Sequence, residues 1–428
     1  MDNSQAYPNF RWFVLLAMIA STAASLVVMI APAPLIGEVA KSLNLSPGAA
    51  TGIIMGLWNI IGATSCLGAG FLVDRYGINK LLMIGCVLLF VPSLCYPLVG
   101  NNLGAVIGLR IVTALGVGPV TSIIGSLAAT WFPTQQRGMV AGIQGVATSF
   151  GVLIGFIVSP SIFAHTHSWL SVMAWTSIFP LVAFVLCAAI PFGPKPPAFH
   201  EDMSPEAQAE SQGAFAKALR TPTTWITIVA VFISCWFFTG FNDLTPGYIA
   251  IEHPTGLGYG PMMAGKLMGT YQGAFMVGGL AVGFIFEKVF RESARATVGL
   301  GFLVSSLLAA SIMIPFVYSQ IPVLRTVLPI AGFFAAWVMP TCVAFIAINY
   351  HHSIVGRLTG LAFGIGLYAG IPGIIVGSIA LKATGNYHTS ITIVSTVAII
   401  GAILVQFMKP LVKRGHAVKV AGPEGAAL

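Results

Sequence analysis

The chain has 428 residues, 57% of them hydrophobic and only 7% charged, with 20 Lys and Arg against 12 Asp and Glu. A water-soluble protein carries roughly 25% charged residues, so this composition excludes a soluble enzyme and a nucleic-acid-binding protein. The mean hydropathy is +0.90, and the basic residues fall in short clusters between apolar runs. We therefore interpret the sequence as an all-α integral membrane protein in contact with the lipid bilayer.

Six apolar runs in the first part of the chain are long enough to cross a bilayer, which takes about 20 residues per helix. They cover residues 12–36, 48–73, 79–99, 103–131, 139–164 and 168–190. Residues 1–190 are therefore predicted to form an N-terminal half of six helices.

The longest polar stretch, residues 191–222, is predicted to be a cytoplasmic linker between two halves. Six further apolar runs follow it, at 223–251, 261–286, 296–318, 323–349, 356–381 and 388–411. Residues 223–428 are therefore predicted to form a C-terminal half of six helices with a short cytoplasmic tail.

The basic residues predict the orientation in the membrane. With a cytoplasmic N-terminus, fifteen of the 20 Lys and Arg fall on the cytoplasmic side, and five remain for the outer loops and the spans. Lys and Arg are enriched in cytoplasmic loops. We therefore expect both termini in the cytoplasm.

Two loop segments repeat between the halves. GFLVDRYGINK at 70–80 follows the second predicted span, and GFIFEKVFR at 283–291 follows the eighth. RGMVAG at 137–142 and GRLTG at 356–360 likewise open the fifth and eleventh spans. A parallel repeat of two six-helix units is typical of one large class of secondary transporters, whose substrate site lies between the halves.

The first of these loops resembles the signature of the major facilitator superfamily, with Gly70, Asp74, Arg75, Gly77 and Lys80 at the matching positions. RIVTALGVGPV at 110–120 looks like the helix-four motif of the same family. The resemblance implies the major facilitator fold, twelve transmembrane helices in two pseudo-symmetric halves, and transport by alternating access. It also implies a gate of loop charges, for which the candidates are Asp74, Arg75, Arg137, Glu287, Lys288 and Arg357.

Two short strings resemble one branch of the family, the bacterial oxalate/formate and monocarboxylate permeases. They are WFPTQQRGMVAG at 131–142 and ALRTPTTW at 218–225. This resemblance implies a small organic anion as substrate and a location in the bacterial inner membrane. The sequence departs from the branch in one respect, because Lys266 and Lys382 lie near the outer ends of spans eight and eleven and not at mid-membrane.

Glycines at small-xxx-small spacing, which allows helices to approach closely in lipid, mark every third span. They occur in spans two, five, eight and eleven. In the superfamily these four helices form the moving interface between the halves, so the spacing agrees with the resemblance.

Few polar groups lie at membrane depth, where an unsatisfied polar group is costly, and each is a candidate for substrate binding. The candidates are Asn59, Arg110, Gln144, Asn242, Tyr271, Gln272, Trp337 and Tyr368. For Arg110, the alternative is a side chain that extends outward to water. For the aromatic residues, the alternative is simple packing.

Asp243 is the sole acidic residue inside a predicted span and is the candidate for proton coupling, because burial favours the neutral form of a carboxyl group. A permanent salt bridge to Lys266 or Arg110 is an equal alternative. The string Thr245-Pro246-Gly247 directly after it is expected to break the helix.

The sequence thus predicts a monomeric secondary transporter of a small organic anion, such as a monocarboxylate, with proton symport. The alternative is a proton-coupled exporter or permease of a cationic or amphiphilic compound, held by Asp243 and by aromatic side chains such as Trp58. Neither GxSxG nor HExxH is present, so we expect no enzyme activity and no cofactor. The pair His351-His352 is interpreted as a loop feature and not a metal site.

Overall fold

The computed structural model describes residues 8–196, 213–350 and 352–411. Within these ranges it leaves out the side chains at positions 70, 71, 74, 129, 134, 135, 137, 138, 141, 352 and 353. The regular secondary structure of the described ranges is entirely helical. Eleven helical segments are long and apolar enough to cross a membrane, and the shorter apolar helix Ile78–Leu94 brings the number of spans to twelve. The predicted all-α membrane fold is confirmed.

The spans are numbered 1 to 12 in chain order. They are Arg11–Ser42, Pro47–Ala69, Ile78–Leu94, Leu103–Ala128, Gly142–Thr166, Trp169–Phe192, Pro222–Ala250, Gly260–Val289, Ala294–Ser311, Ile321–Asn349, Ile354–Thr384 and His388–Phe407. Two helices continue past their spans, since Leu57–Tyr76 extends span 2 and Thr134–Thr166 begins ahead of span 5. A helix over 213–219 precedes span 7.

Spans 4, 6, 10 and 11 are interrupted within one turn before a proline. Proline lacks an N–H and crowds the carbonyl four residues earlier, so it weakens the helix at that point. The interruptions lie at 116, 177, 336–337 and 368–369, ahead of Pro119, Pro180, Pro340 and Pro372.

Spans 1 and 2 each contain an irregular segment. Span 1 consists of the helix Arg11–Ile30, a 3-10 turn Ala33–Leu35 and the short helix Ile36–Ser42. Span 2 passes through a π-helical segment, Gly52–Gly56, between two α-helical parts. Each irregularity disturbs the backbone hydrogen bonds of its helix, so it leaves carbonyl groups for other donors.

The expected break at Thr245-Pro246-Gly247 is wrong, because one unbroken helix runs over Pro222–Ala250. Pro246 lies only four residues before the last helical residue, and its missing N–H removes a single hydrogen bond from the last turns. The hydroxyl of Tyr387 packs on Gly247. Burial raises the pKa of the Tyr387 hydroxyl, which lies between spans 11 and 12, above its ordinary value.

Four spans make most of the contact between the two halves, and span 1 also packs against span 7. Span 5 packs along span 8, and the first part of span 2 packs on the last part of span 11. We call the end of the molecule where span 1 begins and span 12 ends the terminal end, and the other end the opposite end. The contacts between the halves differ sharply between these two ends.

The opposite end is closed by direct backbone contact between the halves. A Cβ atom at Gly48 would lie 2.7 Å from the backbone nitrogen of Lys382 and 2.8 Å from the carbonyl oxygen of Ser378. A Cβ at Gly265 would overlap the carbonyl oxygen of Phe156. Glycine is needed at both positions because any side chain would separate the halves.

The terminal end is open. A Cβ atom at Gly142, Gly356 or Gly360, or at Gly273 in the middle of span 8, would meet no heavy atom of the described residues within 4 Å. These glycines lie on spans 5, 8 and 11, which also carry glycines packed tightly nearer the opposite end. The structure is therefore a state that is closed at the opposite end and open towards the termini.

Candidate substrate and coupling site

Arg110 is fully buried, with 0% of its side chain exposed, and is held by backbone carbonyls of spans 1 and 2. Its Nη1 donates to the carbonyl of Val28 at 3.2 Å, and its Nη2 to the carbonyl of Met29 at 2.9 Å. Pro32 has no N–H to donate to the Val28 carbonyl four residues earlier. Arg110 therefore supplies the hydrogen bond that the proline removes.

The same guanidinium group also binds the π-helical segment of span 2. Its Nε donates to the carbonyl of Ile54 at 2.9 Å, and its central carbon lies 4.5 Å from the ring centroid of Trp58. Carbonyl dipoles and the face of an indole ring both stabilise a cation without neutralising it. Arg110 thus joins the irregular parts of spans 1 and 2 and keeps its positive charge there.

Asp243 and Asn59 connect the two halves. Asn59 Nδ2 donates to Asp243 Oδ2 at 3.2 Å and to the carbonyl of Met55 at 2.9 Å. A Cβ at Gly370 would lie only 3.0 Å from Asn59 Oδ1, so the glycine gives Asn59 its place between spans 2, 7 and 11. The structure therefore brings together two predicted site residues that are 184 positions apart.

The second oxygen of Asp243, Oδ1, has no hydrogen-bond partner within the described part of the chain, although the residue is only 1% exposed. Arg110 and Asp243 interact electrostatically. They do not form an ion pair within the described ranges, and Lys266 is exposed on the surface. The carboxyl group is thus bound to a neutral amide and influenced by a cation that it does not contact.

More buried polar atoms lie along spans 7 and 8. Gln272 is fully buried, and neither its amide nitrogen nor its amide oxygen has a partner among the described residues. The same holds for the Tyr271 hydroxyl and for Asn242 Oδ1, although Asn242 Nδ2 donates to the Phe238 carbonyl at 2.8 Å. Buried polar groups are almost always hydrogen-bonded, so this group is suited to receive a polar ligand or water.

The remaining substrate candidates lie in different surroundings. Gln144 Nε2 donates to Thr22 Oγ1 at 2.6 Å inside the N-terminal half. Trp337 packs among Phe333 and Phe334, with ring centroids 5.6 and 4.6 Å away. Tyr368 is partly exposed at the interruption of span 11. None of these three has a hydrogen bond to Asn59, Arg110 or Asp243 within the described ranges.

The candidate gate residues line the open end. Arg75, Glu287, Lys288 and Arg357 are all exposed, and the guanidinium of Arg357 lies 4.1 Å from the ring centroid of Phe215 in the 213–219 helix. The side chains of Asp74 and Arg137 lie outside the described residues, as do His351 and the side chain of His352. The described gate residues thus lie exposed at the terminal end.

Sequence reasoning missed several residues that build the site. Thr22 partners Gln144, and Gly370 admits Asn59 between the spans. The carbonyls that Arg110 binds were also missed. Pro32 was an available signal, because a proline inside a long apolar run leaves a carbonyl without its helical donor.

The sequence profile described as the Major Facilitator Superfamily matches residues 13–315 of the chain. The chain is 23% identical over 366 residues to a hexuronate transporter of Bacillus subtilis, covering 83% of this chain and 84% of the relative. It is 22% identical over 402 residues to a nitrite extrusion protein of the same organism, covering 91% and 92%. A cis,cis-muconate transport protein of Acinetobacter baylyi is 25% identical over 240 residues, covering 54% of this chain and 56% of the relative.

A solved structure has the same fold. It is the crystal structure of a bacterial homolog to the human lysosomal transporter Spinster, in an inward-facing and unoccupied conformation. The two share 14% sequence identity and superpose with a TM-score of 0.70, over 94% of this chain and 95% of the other.

Proposed function

The chain belongs to the major facilitator superfamily, and we propose that it carries a small organic anion, such as a monocarboxylate, together with a proton. The protein is an integral membrane transporter of small solutes and not an enzyme. The proposal concerns the charge of its substrate, its coupling ion and the residues that bind them.

One observation carries the proposal: Arg110 and Asp243 are both buried, and they form no ion pair with each other. When Asp243 is protonated, the charge of Arg110 is uncompensated and the site attracts an anion. When Asp243 is ionised, the two charges cancel at a distance and the attraction is lost. Anion and proton would therefore bind together, and for a monoanion the cycle is electroneutral.

The buried polar atoms of spans 7 and 8 are suited to hold such a substrate. The Gln272 amide nitrogen and the Tyr271 hydroxyl are donors without partners among the described residues, and carboxylate oxygens accept hydrogen bonds. The clustering of basic residues favours a cytoplasmic terminal end. In that orientation the open end faces the cytoplasm, and the Asn59–Asp243 hydrogen bond lies between the cytoplasmic opening and the closed outer end.

The names of the relatives support an anionic substrate. Hexuronate, cis,cis-muconate and nitrite are all anions, and each is named for a different relative of this chain. They differ widely in size, so they support the sign of the charge more than the identity of the substrate.

The test is uptake into proteoliposomes under an imposed pH gradient, with radiolabelled monocarboxylates and radiolabelled amines offered separately. We expect acids to accumulate only with the gradient. Asp243→Asn should abolish this accumulation and preserve exchange of substrate across the membrane, because asparagine keeps the hydrogen-bond acceptor and cannot ionise. Glu252→Gln, which removes an exposed carboxylate at the opposite end, is the matched control and should behave like the wild type.

Two outcomes would contradict the proposal. Stimulation by amines alone would favour the cationic or amphiphilic substrate instead, with the unpartnered Oδ1 of Asp243 as its acceptor. If Asp243→Asn still accumulated substrate normally under the pH gradient, Asp243 would have no role in proton coupling.

A further inference from the structure

A groove of about 550 Å³ lies between spans 9 and 12 at the terminal end. Its walls are mainly apolar and include Leu303, Ile403 and Phe407. These three side chains are 42%, 60% and 65% exposed. The spans are surrounded by the bilayer, so an apolar groove on their outer surface is suited to hydrocarbon.

Small residues form the groove. Ala296 and Gly299 of span 9 and Ala402 of span 12 are among its lining residues. A Cβ at Gly299 would lie 2.6 Å from Gln406 Nε2, so the two spans approach closely there. The groove thus results from small side chains on two tightly packed helices, and it is independent of the substrate site between the halves.

The terminal end of the groove is cationic. Arg295 is the second residue of span 9, and its Nε donates to the carbonyl of Met408. Its two Nη groups make no hydrogen bond to other described residues. Lys409, next to Met408, is exposed, and so is Glu292, three residues before Arg295 in the sequence. Both cations lie at the limits of their spans, at the depth where lipid headgroups begin.

We propose that this groove binds one anionic phospholipid, with an acyl chain along the apolar walls and the phosphate at Arg295 and Lys409. A guanidinium group with free Nη donors matches the geometry of phosphate oxygens. Basic pockets between transmembrane helices on the cytoplasmic side are suited to anionic headgroups. The occupant is thus a lipid of the cytoplasmic leaflet in the predicted orientation.

Native mass spectrometry of the purified full chain tests the proposal, with phosphatidylglycerol and phosphatidylcholine offered in equal amounts. We expect the wild type to retain phosphatidylglycerol in preference. Arg295→Gln should lower the retention of phosphatidylglycerol about tenfold, because it removes a cation and its charge-assisted hydrogen bonds to the phosphate. Phosphatidylcholine should lose less, because its choline group already offsets the charge of its phosphate, so the preference for the anionic lipid should disappear. Arg220→Gln, at an exposed cation of the same end outside the groove, is the matched control and should leave retention unchanged.

A second variant tests the apolar part. Ala296 is exposed in the groove, so Ala296→Trp fills it without disturbing the core and should lower the retention of both lipids. Wild-type retention by Arg295→Gln would overturn the proposal. If the wild type instead forms dimers without bound lipid, and Ala296→Trp dissociates those dimers, then the groove binds a second copy of the chain and the proposal is overturned. An increase in retention after removal of residues 412–428 would identify that segment as the occupant instead.

Discussion

The opposite and terminal ends of the molecule use the same four spans but differ in what their glycines contact. At the opposite end, Gly48 and Gly265 bring the backbones of the two halves together. At the terminal end, Gly142 and Gly360 face open space. The small-residue pattern therefore marks two contact surfaces, of which this state uses one. The spacing of small residues along the sequence identifies both contact surfaces. Only the three-dimensional contacts show which of the two surfaces is closed.

The closed end also contains the backbone irregularities of spans 1 and 2. The 3-10 turn Ala33–Leu35 packs against span 7, and the π-helical segment Gly52–Gly56 packs against span 11. Arg110 binds carbonyls at both irregular regions. The surface that the N-terminal half presents at the closed end is thus held by Arg110, although Arg110 itself does not contact the other half.

The largest effect is expected from Arg110→Gln. The carbonyls of Val28, Met29 and Ile54 lose a charged donor, and an unsatisfied buried carbonyl costs about 1–3 kcal/mol. We expect the free energy of unfolding to fall by about 3 kcal/mol or more, measured as a lower Tm in detergent. Arg110→Lys should be intermediate, because an ammonium group cannot reach all three carbonyls in the same geometry.

Lys266→Gln is the control, since Lys266 is exposed and its loss should change stability by about 0.5 kcal/mol at most. An unchanged Tm in Arg110→Gln would show that Arg110 does not support the closed end.

A smaller effect is expected from Gly265→Val, which introduces a side chain where the halves touch. Overpacking of this kind costs about 1–3 kcal/mol. The population open at the opposite end should therefore increase about tenfold or more, since about 1.4 kcal/mol corresponds to a factor of ten. The measurement is labelling of Ser378→Cys by a membrane-impermeant maleimide, in a chain whose native cysteines are replaced by alanine.

Gly273→Val on the same span is the matched control, because a side chain there meets open space in this state. Its labelling should stay low, although transport should stop when the terminal end can no longer close. If Ser378→Cys were labelled equally in Gly265→Val and Gly273→Val, the claim that only the opposite end is closed would be wrong.

The smallest effect on stability is expected from Glu287→Gln at the open end. Glu287 is exposed, so the free energy of unfolding should change by about 0.5 kcal/mol at most. Transport should nevertheless slow about two- to fivefold, because the charged gate forms only when the terminal end closes, and exposed ion pairs contribute up to about 1 kcal/mol. Initial uptake rates into proteoliposomes measure this.

Glu252→Gln removes an exposed carboxylate at the opposite end and should leave the uptake rate unchanged. If both substitutions slowed uptake equally, a gate role for Glu287 would be untenable.

The spans were predictable because apolar length is a local property of the sequence. The predicted seventh span, 223–251, differs from the observed helix Pro222–Ala250 by one residue at each end. The proline in that span misled the prediction of a break. The effect of a proline depends on its distance from the helix end and on the residues packed around it. Neither can be read from the string Thr245-Pro246-Gly247 alone.

The residue types of the candidate site could be predicted from the sequence, but the contacts between those residues could not. Asn59 and Asp243 were both expected to bind or couple, but their contact joins spans from different halves and depends on the absence of a side chain at Gly370. Arg110 was expected as a buried cation, while its partners are backbone carbonyls, which every residue carries. A pattern of side chains cannot indicate which carbonyls a helix irregularity leaves without a donor.

The π-helical segment Gly52–Gly56 has a further geometric consequence. It amounts to one residue inserted into an α-helix, and each residue of an α-helix turns the chain by about 100°. Deleting one residue there would rotate Asn59 and the rest of the helix away from Asp243 relative to the part that packs on Ser378. The inserted residue therefore rotates the second part of span 2 relative to its first part. This rotation lets the first part pack on Ser378 while the second part directs Asn59 towards Asp243.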